Sequence, residues 1–346
     1  MFKSVALALM AFAVALPATA DDPYVLVSNH AGGNSVSKYD LTGNWQGHLV
    51  APGSGGLASA VGVRVHQGDL LVVSEGTGQV LRYNLDTGAF IDAFIDDPLL
   101  LAPGYMEIGP DGSIYVDSVG NNSVRKYDPT TGAFISIAAT GGSLSGPDGL
   151  LFLPSGELLV SSYFNHAVKR YDPTTGNYLG DFINGGGLLN PLELRLVNGE
   201  SEIHVVSQGP NTVRAYNANT GAFIATSLAG GGLNNPIARL ELPNSDLLVS
   251  SYSNSRIVRF QSDGTVIGNF ALGAAQGLTR PTVMILVTPP ICEGDINNDN
   301  IIDTADLGIL IGAFGTADPI ADINNDNIVD TADLGILIAQ FGNSCE

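Results

Sequence analysis

The chain has 346 residues, of which 43 are glycine, and only 14% are charged. That balance favours short strands and tight turns, because a helical bundle would carry more lysine and glutamate. The formal net charge of −20 argues against nucleic-acid binding, since affinity for phosphate depends on basic residues. The length fits one large repeat domain followed by a small module.

Residues 1–20 have the pattern of a signal peptide. Lys3 supplies the positive start, residues 5–16 form an apolar run, and Ala18-Thr19-Ala20 is a cleavage site. The apolar run is too short to span a membrane, and no later segment approaches a transmembrane span. We therefore expect a secreted or otherwise extracytoplasmic protein, at the cell surface or in the periplasm, whose mature chain begins at Asp21.

One short motif recurs six times along most of the chain. Its clearest copies are Val124-Arg-Lys-Tyr-Asp-Pro-Thr-Thr-Gly132 and Val168-Lys-Arg-Tyr-Asp-Pro-Thr-Thr-Gly176. The aromatic residue of each copy follows the previous one after 44 or 45 positions: Tyr39, Tyr83, Tyr127, Tyr171, Tyr216 and Phe260. A fixed period of this length indicates a repeat fold.

Each period contains four predicted strands separated by turn residues. In the fourth period a glycine-rich entry leads to Pro147, and strands are predicted at 150–153, 157–161, 168–171 and 178–183. In the turn before the last strand, Asp172 bonds to the backbone ahead and Gly176 takes the left-handed conformation that closes a hairpin. Four short strands per period are typical of a β-propeller blade.

An open β-solenoid is the competing interpretation, and the order of the strands argues against it. The mature chain starts at a second strand, 24–28, and a lone first strand, 281–287, follows the last full repeat. That lone strand completes the first sheet and leaves no free sheet edge. We predict an all-β, six-bladed propeller over residues 21–288, closed by a C-terminal strand.

The repeat resembles the NHL-type and SMP-30-like six-bladed propellers. The resemblance rests on Pro-x-Gly-Leu at 147–150, Pro-x-Gly-x-Leu-x-Val at 154–160 and Asn-x-x-Val-x-Arg-Tyr-Asp at 165–172. It implies an architecture rather than an activity, because this fold carries binding proteins, hydrolases and lyases alike.

The propeller offers one candidate site, on the face where the loops are irregular. Loops between second and third strands share that face with the loops that join blades, and irregular loops often carry function. The candidate ligand rim there is His30, Tyr163, Phe164, His166 and Tyr252. The alternative is that these side chains only cover loop backbone.

Nothing in the propeller sequence matches a catalytic motif of the Gly-x-Ser-x-Gly or HExxH type. Charged residues do occur on the predicted first strands, beside the central channel. We expect these residues to pair with one another: Glu107, Asp148, Glu193, Arg195 and Arg239.

After a short linker at 289–293, residues 294–346 contain one acidic motif twice. Carboxylate or amide side chains stand at loop positions 1, 3, 5, 9 and 12, and position 7 offers a backbone carbonyl, as in EF-hand-type calcium loops. We predict two calcium ions per chain, and the alternative is an acidic surface repeat without metal. The predicted ligands are Asp295, Asn297, Asp299, Ile301, Asp303 and Asp306, with Asp322, Asn324, Asp326, Ile328, Asp330 and Asp333.

Each loop leads into one predicted apolar helix, 307–314 and 334–341. A calcium loop followed by one helix, duplicated, resembles the type I dockerin module, and this resemblance implies docking to a cohesin-like or other partner. Thr304-Ala305 and Thr331-Ala332 depart from the Ser-Thr type of pair at loop positions 10 and 11, so calcium binding has more support than cohesin binding. The module should fold only with metal, because its carboxylates otherwise repel one another.

Cys292 and Cys345 are the only cysteines, and they bracket the acidic module. In an exported protein such a pair indicates one disulfide, with two free thiols as the alternative. The sequence as a whole predicts an exported, non-catalytic binding or scaffold propeller anchored through the module. The alternative function is a secreted propeller hydrolase or lyase that acts in polysaccharide or lactone breakdown.

Overall fold

The computed structural model describes residues 22–288, 293–297, 299, 301–324 and 326–342. The predicted signal peptide, most of the predicted linker, Cys292 and Cys345 lie outside the described residues. The signal peptide and the disulfide therefore stay predictions. Residues 23–287 form one compact unit.

This unit consists of six four-stranded antiparallel sheets, so the predicted six-bladed propeller is confirmed. Blade 1 contains β24 (Pro281–Val287), β1 (Tyr24–Asn29), β2 (Ser35–Asp40) and β3 (Trp45–Val50). Blades 2 and 3 contain β4 (Ala60–His66), β5 (Asp69–Ser74), β6 (Gln79–Asn84), β7 (Phe90–Asp96), β8 (Met106–Ile108), β9 (Ile114–Ser118), β10 (Ser123–Tyr127) and β11 (Phe134–Ala139).

Blades 4 to 6 continue the same order without interruption. Blade 4 contains β12 (Pro147–Phe152), β13 (Leu158–Ser162), β14 (Ala167–Tyr171) and β15 (Tyr178–Asn184). Blades 5 and 6 contain β16 (Pro191–Val197), β17 (Glu202–Ser207), β18 (Thr212–Asn217), β19 (Phe223–Leu228), β20 (Pro236–Glu241), β21 (Leu247–Ser251), β22 (Arg256–Phe260) and β23 (Val266–Leu272).

The ring is closed as the sequence predicts. β24 pairs antiparallel with β1, with Tyr24 opposite Val287 and Leu26 opposite Ile285. Val25, Leu26 and Val27 are fully buried, because this strand lies between β24 and β2 within its sheet. One strand from the C-terminal end of the propeller thus completes the sheet that the N-terminal end begins.

The repeated aromatic residue has a structural role at the centre of each blade. Tyr83 is fully buried and donates a 2.8 Å hydrogen bond to the carbonyl of Ser54, in the loop that leads into its blade. Tyr171 does the same with the carbonyl of Gly141. In these blades the ring contributes apolar burial and the hydroxyl holds the entry loop, whereas the hydroxyl of Tyr216 has no hydrogen-bond partner among the described residues.

The Asp-Pro-Thr-Thr-Gly turn also forms as predicted. The Asp128 carboxylate accepts hydrogen bonds from the backbone N–H groups of Thr130 and Thr131, and these bonds lower its pKa. Gly132 has a φ of +68°, and a Cβ at this position would overlap the carbonyl oxygen of Phe94 in the preceding blade. Glycine is therefore required twice, by the turn and by the close approach of two blades.

The described residues beyond 288 contain two helices, α1 (Thr304–Ala313) and α2 (Thr331–Gln340). Both begin three residues before the predicted start, because Asp303 and Asp330 cap them and form capping boxes with Asp306 and Asp333. A small apolar core joins the two repeats through Ile302, Leu310, Val329 and Leu337. Neither helix, nor any other in the described part of the chain, is long and apolar enough to cross a membrane.

Candidate functional site

The first acidic loop brings three predicted ligands together. Carboxylate oxygens of Asp295, Asp299 and Asp306 all lie within 4.8 Å of one another. No lysine, arginine or histidine occurs in the sequence after Arg280, so the segment has no basic side chain of its own to balance them. Three clustered oxygen donors are the chemistry that a hard divalent cation requires.

Asp306 organises this loop from the start of α1. Its carboxylate is fully buried and accepts hydrogen bonds from the backbone N–H groups of Ile296, Asn297 and Asp303. Asp303 in turn accepts from the N–H of Ala305. The carboxylates at loop positions 9 and 12 therefore fix the loop backbone and start the helix at the same time.

The second loop repeats this pattern. Asp333 accepts from the N–H groups of Asn324 and Asp330. Burial raises its pKa, but these backbone hydrogen bonds outweigh burial and lower it overall. Asn327 has a φ of +71°, the left-handed conformation that the sequence requires at loop position 6, where calcium loops usually carry glycine.

In both loops, the asparagine side chain at position 3 donates a hydrogen bond to the aspartate carboxylate at position 5. The amide nitrogen of Asn297 lies 2.8 Å from Oδ2 of Asp299, and that of Asn324 lies 3.0 Å from Oδ2 of Asp326. Ile301 and Ile328, at position 7, donate their N–H groups to the same aspartates. The two loops are thus one local structure, built twice from one motif.

Each blade contributes one residue to the propeller rim. It is the first residue after the second strand of that blade. His30 lies between two of these residues, with Nε2 2.6 Å from Oε2 of Glu75 and Nδ1 3.0 Å from the hydroxyl of Tyr252. On another blade, the hydroxyl of Tyr163 contacts Oε1 of Gln208 at 2.5 Å. The six equivalent positions are His30, Glu75, Val119, Tyr163, Gln208 and Tyr252.

The five rim residues predicted from the sequence therefore lie in different environments. His30 and Tyr252 contact each other, with ring centroids 5.5 Å apart. Tyr163 and Phe164 stack edge to face at 5.0 Å, and Phe164 is 64% exposed. His166 does not join either pair.

His166 belongs instead to a repeated contact between neighbouring blades. Its φ is +57°, and its Nδ1 accepts a hydrogen bond from the N–H of Asn190 at the entry to the next blade. The equivalent residue of blade 2 is Gly78, which has no side chain. The other four blades make the same contact with Asn34, Asn122, Asn211 and Ser255.

Beside the rim, the structure brings together a pair of acids that no sequence motif combines. Asp117 is fully buried and accepts from the N–H groups of Gly104 and Tyr105. Asp117 and Asp148 carboxylate oxygens both lie within 4 Å of the point where a Cβ on Gly104 would stand. Among the described residues, Asp148 makes no hydrogen bond or ion pair.

Burial and nearby negative charge raise the pKa of both acids. Burial, followed by the charge of Asp148, raises the pKa of Asp117 well above its usual value. Burial and the charge of Glu75 raise the pKa of Asp148 to about 7. A comparison of repeats could have pointed to Asp117, because blades 4 and 6 carry Ser161 and Ser250 at that position.

Deeper in the channel, the expected pairing holds for Glu107, Glu193, Arg195 and Arg239, but not for Asp148, which has no ion pair among the described residues. Arg64 lies 2.8 Å from Glu107, and Arg195 lies 3.1 Å from Glu193. The hydroxyl of Tyr105 joins the two pairs, since it contacts Arg64 at 2.7 Å and Glu193 at 3.0 Å. This network balances the charges deep in the channel, whereas Asp117 and Asp148, nearer the rim, have no lysine or arginine partner among the described residues.

Comparison with protein-family models and with curated protein sequences gives no match. Solved structures with a similar fold include a protein of unknown function from Bacteroides caccae (14% identity, TM-score 0.62, covering 77% of this chain and 99% of that one). A nidogen–laminin complex is similar at 14% identity and a TM-score of 0.61 (76% and 98%), and virginiamycin B lyase from Staphylococcus aureus at 16% and 0.53 (72% and 84%). Similarity at these identities shows the fold alone, and that fold is a six-bladed β-propeller.

Proposed function

We propose that the protein is an exported binding or scaffold propeller, anchored to a partner by a calcium-dependent, dockerin-like C-terminal module. The observation that carries the proposal is the cluster of Asp295, Asp299 and Asp306 oxygens in a segment without any basic residue. Such a cluster is costly without a cation, because its charges repel at short range.

The donor set fits calcium rather than a softer metal. Carboxylate, amide and backbone oxygens are offered, while soft metals prefer thiolate and imidazole. Calcium would supply the positive charge that holds each loop closed on its helix. The residues that would hold the two ions are Asp295, Asn297, Asp299, Ile301, Asp303 and Asp306, and Asp322, Asn324, Asp326, Ile328, Asp330 and Asp333.

Exposed apolar residues on the helices support a docking role. Ile311 and Ile338, at equivalent positions of the two repeats, are 60% and 58% exposed. Phe314 and Phe341 follow three residues later and are 46% and 43% exposed. A pair of large apolar side chains shown twice on a small acidic segment fits a partner with an apolar contact surface and a basic rim, such as a cohesin-like protein.

The test is capture of exported proteins from the source organism on the immobilised full chain. We expect one partner to be retained in calcium and released by a chelator. Asp295→Ala with Asp322→Ala should abolish retention, and Asp86→Ala, on an exposed propeller turn, should not. Retention that is equal in chelator would reject a calcium-dependent anchor.

A second function, a hydrolase or lyase acting on polysaccharide- or lactone-derived substrates, has one observation in its favour. Asp148 has no partner in the described part of the chain and a pKa of about 7, which suits a general acid or base near neutral pH. The test is turnover of a panel of lactones and oligosaccharides by the wild type and by Asp148→Asn. Turnover that the substitution abolishes would favour the enzyme over the scaffold.

A further inference from the structure

The propeller contains a cavity of about 320 Å³ between blades 5 and 6. It lies near the tight turns, away from the rim that His30 and Tyr252 share. The side chains that matter for its chemistry are Glu202, His204, Ala215, Arg239, Glu241 and Asp263. Its size is at the lower end of the range found for small-molecule sites.

The cavity exists because blade 5 lacks a basic side chain that every other blade carries. The residue before the repeated aromatic is Ala215 in blade 5. In the other five blades that position is Lys38, Arg82, Lys126, Arg170 and Arg259. A methyl group in place of a long basic side chain leaves empty space and removes a positive charge.

The acid that pairs with this basic residue is still present in blade 5. In blade 6, Arg259 contacts Asp246 at 2.7 Å, and in blade 4, Arg170 lies 3.7 Å from Glu157. The equivalent acid of blade 5 is Glu202. Among the described residues, its only charge contact is with His204, at 3.9 Å.

His204 is a second departure from the repeat. The equivalent positions are apolar or aromatic: Leu26, Leu71, Tyr115, Leu159 and Leu248. His204 is only 8% exposed, and its Nδ1 has no hydrogen-bond partner in the part of the chain that the structure describes. Burial, and then the charge of Arg239, lower its pKa to about 4, so it is neutral at physiological pH.

Arg239 on the opposite wall is a third departure, since the other blades carry Val63, Met106, Leu150, Leu194 and Met284 there. Its charge is already balanced. Its guanidinium lies 2.9 Å from Glu241, and its backbone N–H donates to the buried Glu193. Glu202 and Asp263 are therefore the charges at the cavity that no arginine or lysine neutralises among the described residues.

We propose that this cavity binds a small organic cation, an alkylguanidinium or alkylammonium group that takes the place of the side chain missing at Ala215. The cation would pair with Glu202 as Arg259 pairs with Asp246. His204 lines the cavity beside this pair, with Nε2 3.9 Å from Glu202. The proposal is independent of the calcium-dependent anchor, because none of its residues lies beyond 287.

The experiment is calorimetric titration of the full chain with butylguanidinium and with butylurea, its neutral analogue. We expect saturable binding of butylguanidinium and at least tenfold weaker binding of butylurea. Ala215→Arg restores the residue type of blades 2, 4 and 6, so it should fold, fill the cavity and abolish binding. Glu202→Gln should weaken binding at least tenfold.

The matched control is Glu157→Gln, which alters the equivalent acid of blade 4, where Arg170 is present. Its affinity for butylguanidinium should equal that of the wild type. No binding by the wild type, equal binding of butylurea, or undiminished binding by folded Ala215→Arg would each overturn the proposal.

Discussion

The propeller and the C-terminal segment differ in whether basic side chains lie beside their acidic ones. In the propeller, basic residues lie beside acids of the same chain, as Arg125 does with Asp97 at 2.7 Å. Beyond residue 288 the sequence has acids and no basic residue, and the carboxylates of Asp306 and Asp333 accept only backbone N–H groups among the contacts described above. The propeller therefore pairs many of its acids with basic residues of its own, whereas the C-terminal segment has no basic residue, and we propose that calcium balances its acids.

The two regions also differ in how much apolar surface they bury. Every blade buries its aromatic anchor and the apolar residues of its inner strands. The C-terminal segment buries only a small cluster around Leu310 and Leu337, and a core of that size is marginal alone. Changes within the ring should therefore act through packing, and changes in the acidic loops should act through metal.

The largest expected effect comes from opening the ring. Deletion of residues 280–288 removes β24 and leaves β1 as an exposed, apolar edge strand. We expect the propeller to lose its cooperative thermal transition in scanning calorimetry. A truncated chain that melts like the intact one would show that strand closure does not hold the ring together.

A smaller effect is expected where two blades approach most closely. Gly132→Ala should cost roughly 2–6 kcal/mol of unfolding free energy, because left-handed strain costs about 1–3 kcal/mol and overpacking against Phe94 about 1–3 kcal/mol more. Gly112→Ala is the matched control, since Gly112 has a φ of +77° but open space around it. Urea unfolding that gives equal losses for both variants would contradict the close approach between blades.

The smallest expected effect concerns the acid pair beside the rim. The pKa of Asp148 is about 7 in the folded protein and about 3.9 in an unfolded chain, so the folded state binds more protons between these values. Stability from this group is present below pH 4 and is lost as the pH rises through 7. Asp148→Asn should therefore raise the melting temperature at pH 8, with little change at pH 4. An equal shift at both pH values would reject the linkage.

The sequence predicts the ring well because its signals are local and repeated. The Asp128 turn, the Tyr83 anchor and the lone strand at 281–287 each follow from residues that are close in the chain. The sequence predicts the helix starts three residues too late because Asp303 and Asp330 stand out as metal ligands, while the structure shows that they also cap α1 and α2.

The features that the sequence does not predict depend on contacts between blades. His166 was expected on the ligand rim, yet its side chain reaches the backbone of Asn190 in the next blade. Asp117 and Asp148 belong to different blades and meet only because the ring brings those blades together. The cavity at Ala215 likewise requires two facing sheets, and a period in one chain does not show which faces meet.

Hydrogen–deuterium exchange of the full chain, with calcium and with chelator, tests the central claim most directly. We predict that amides in 304–313 and 331–340 exchange slowly only with calcium, while those in 24–287 are protected in both conditions, because metal binding and folding of the loops are one event. Asp295→Ala with Asp322→Ala should reproduce the chelator result in calcium. Equal protection of both helices with and without calcium would contradict the account.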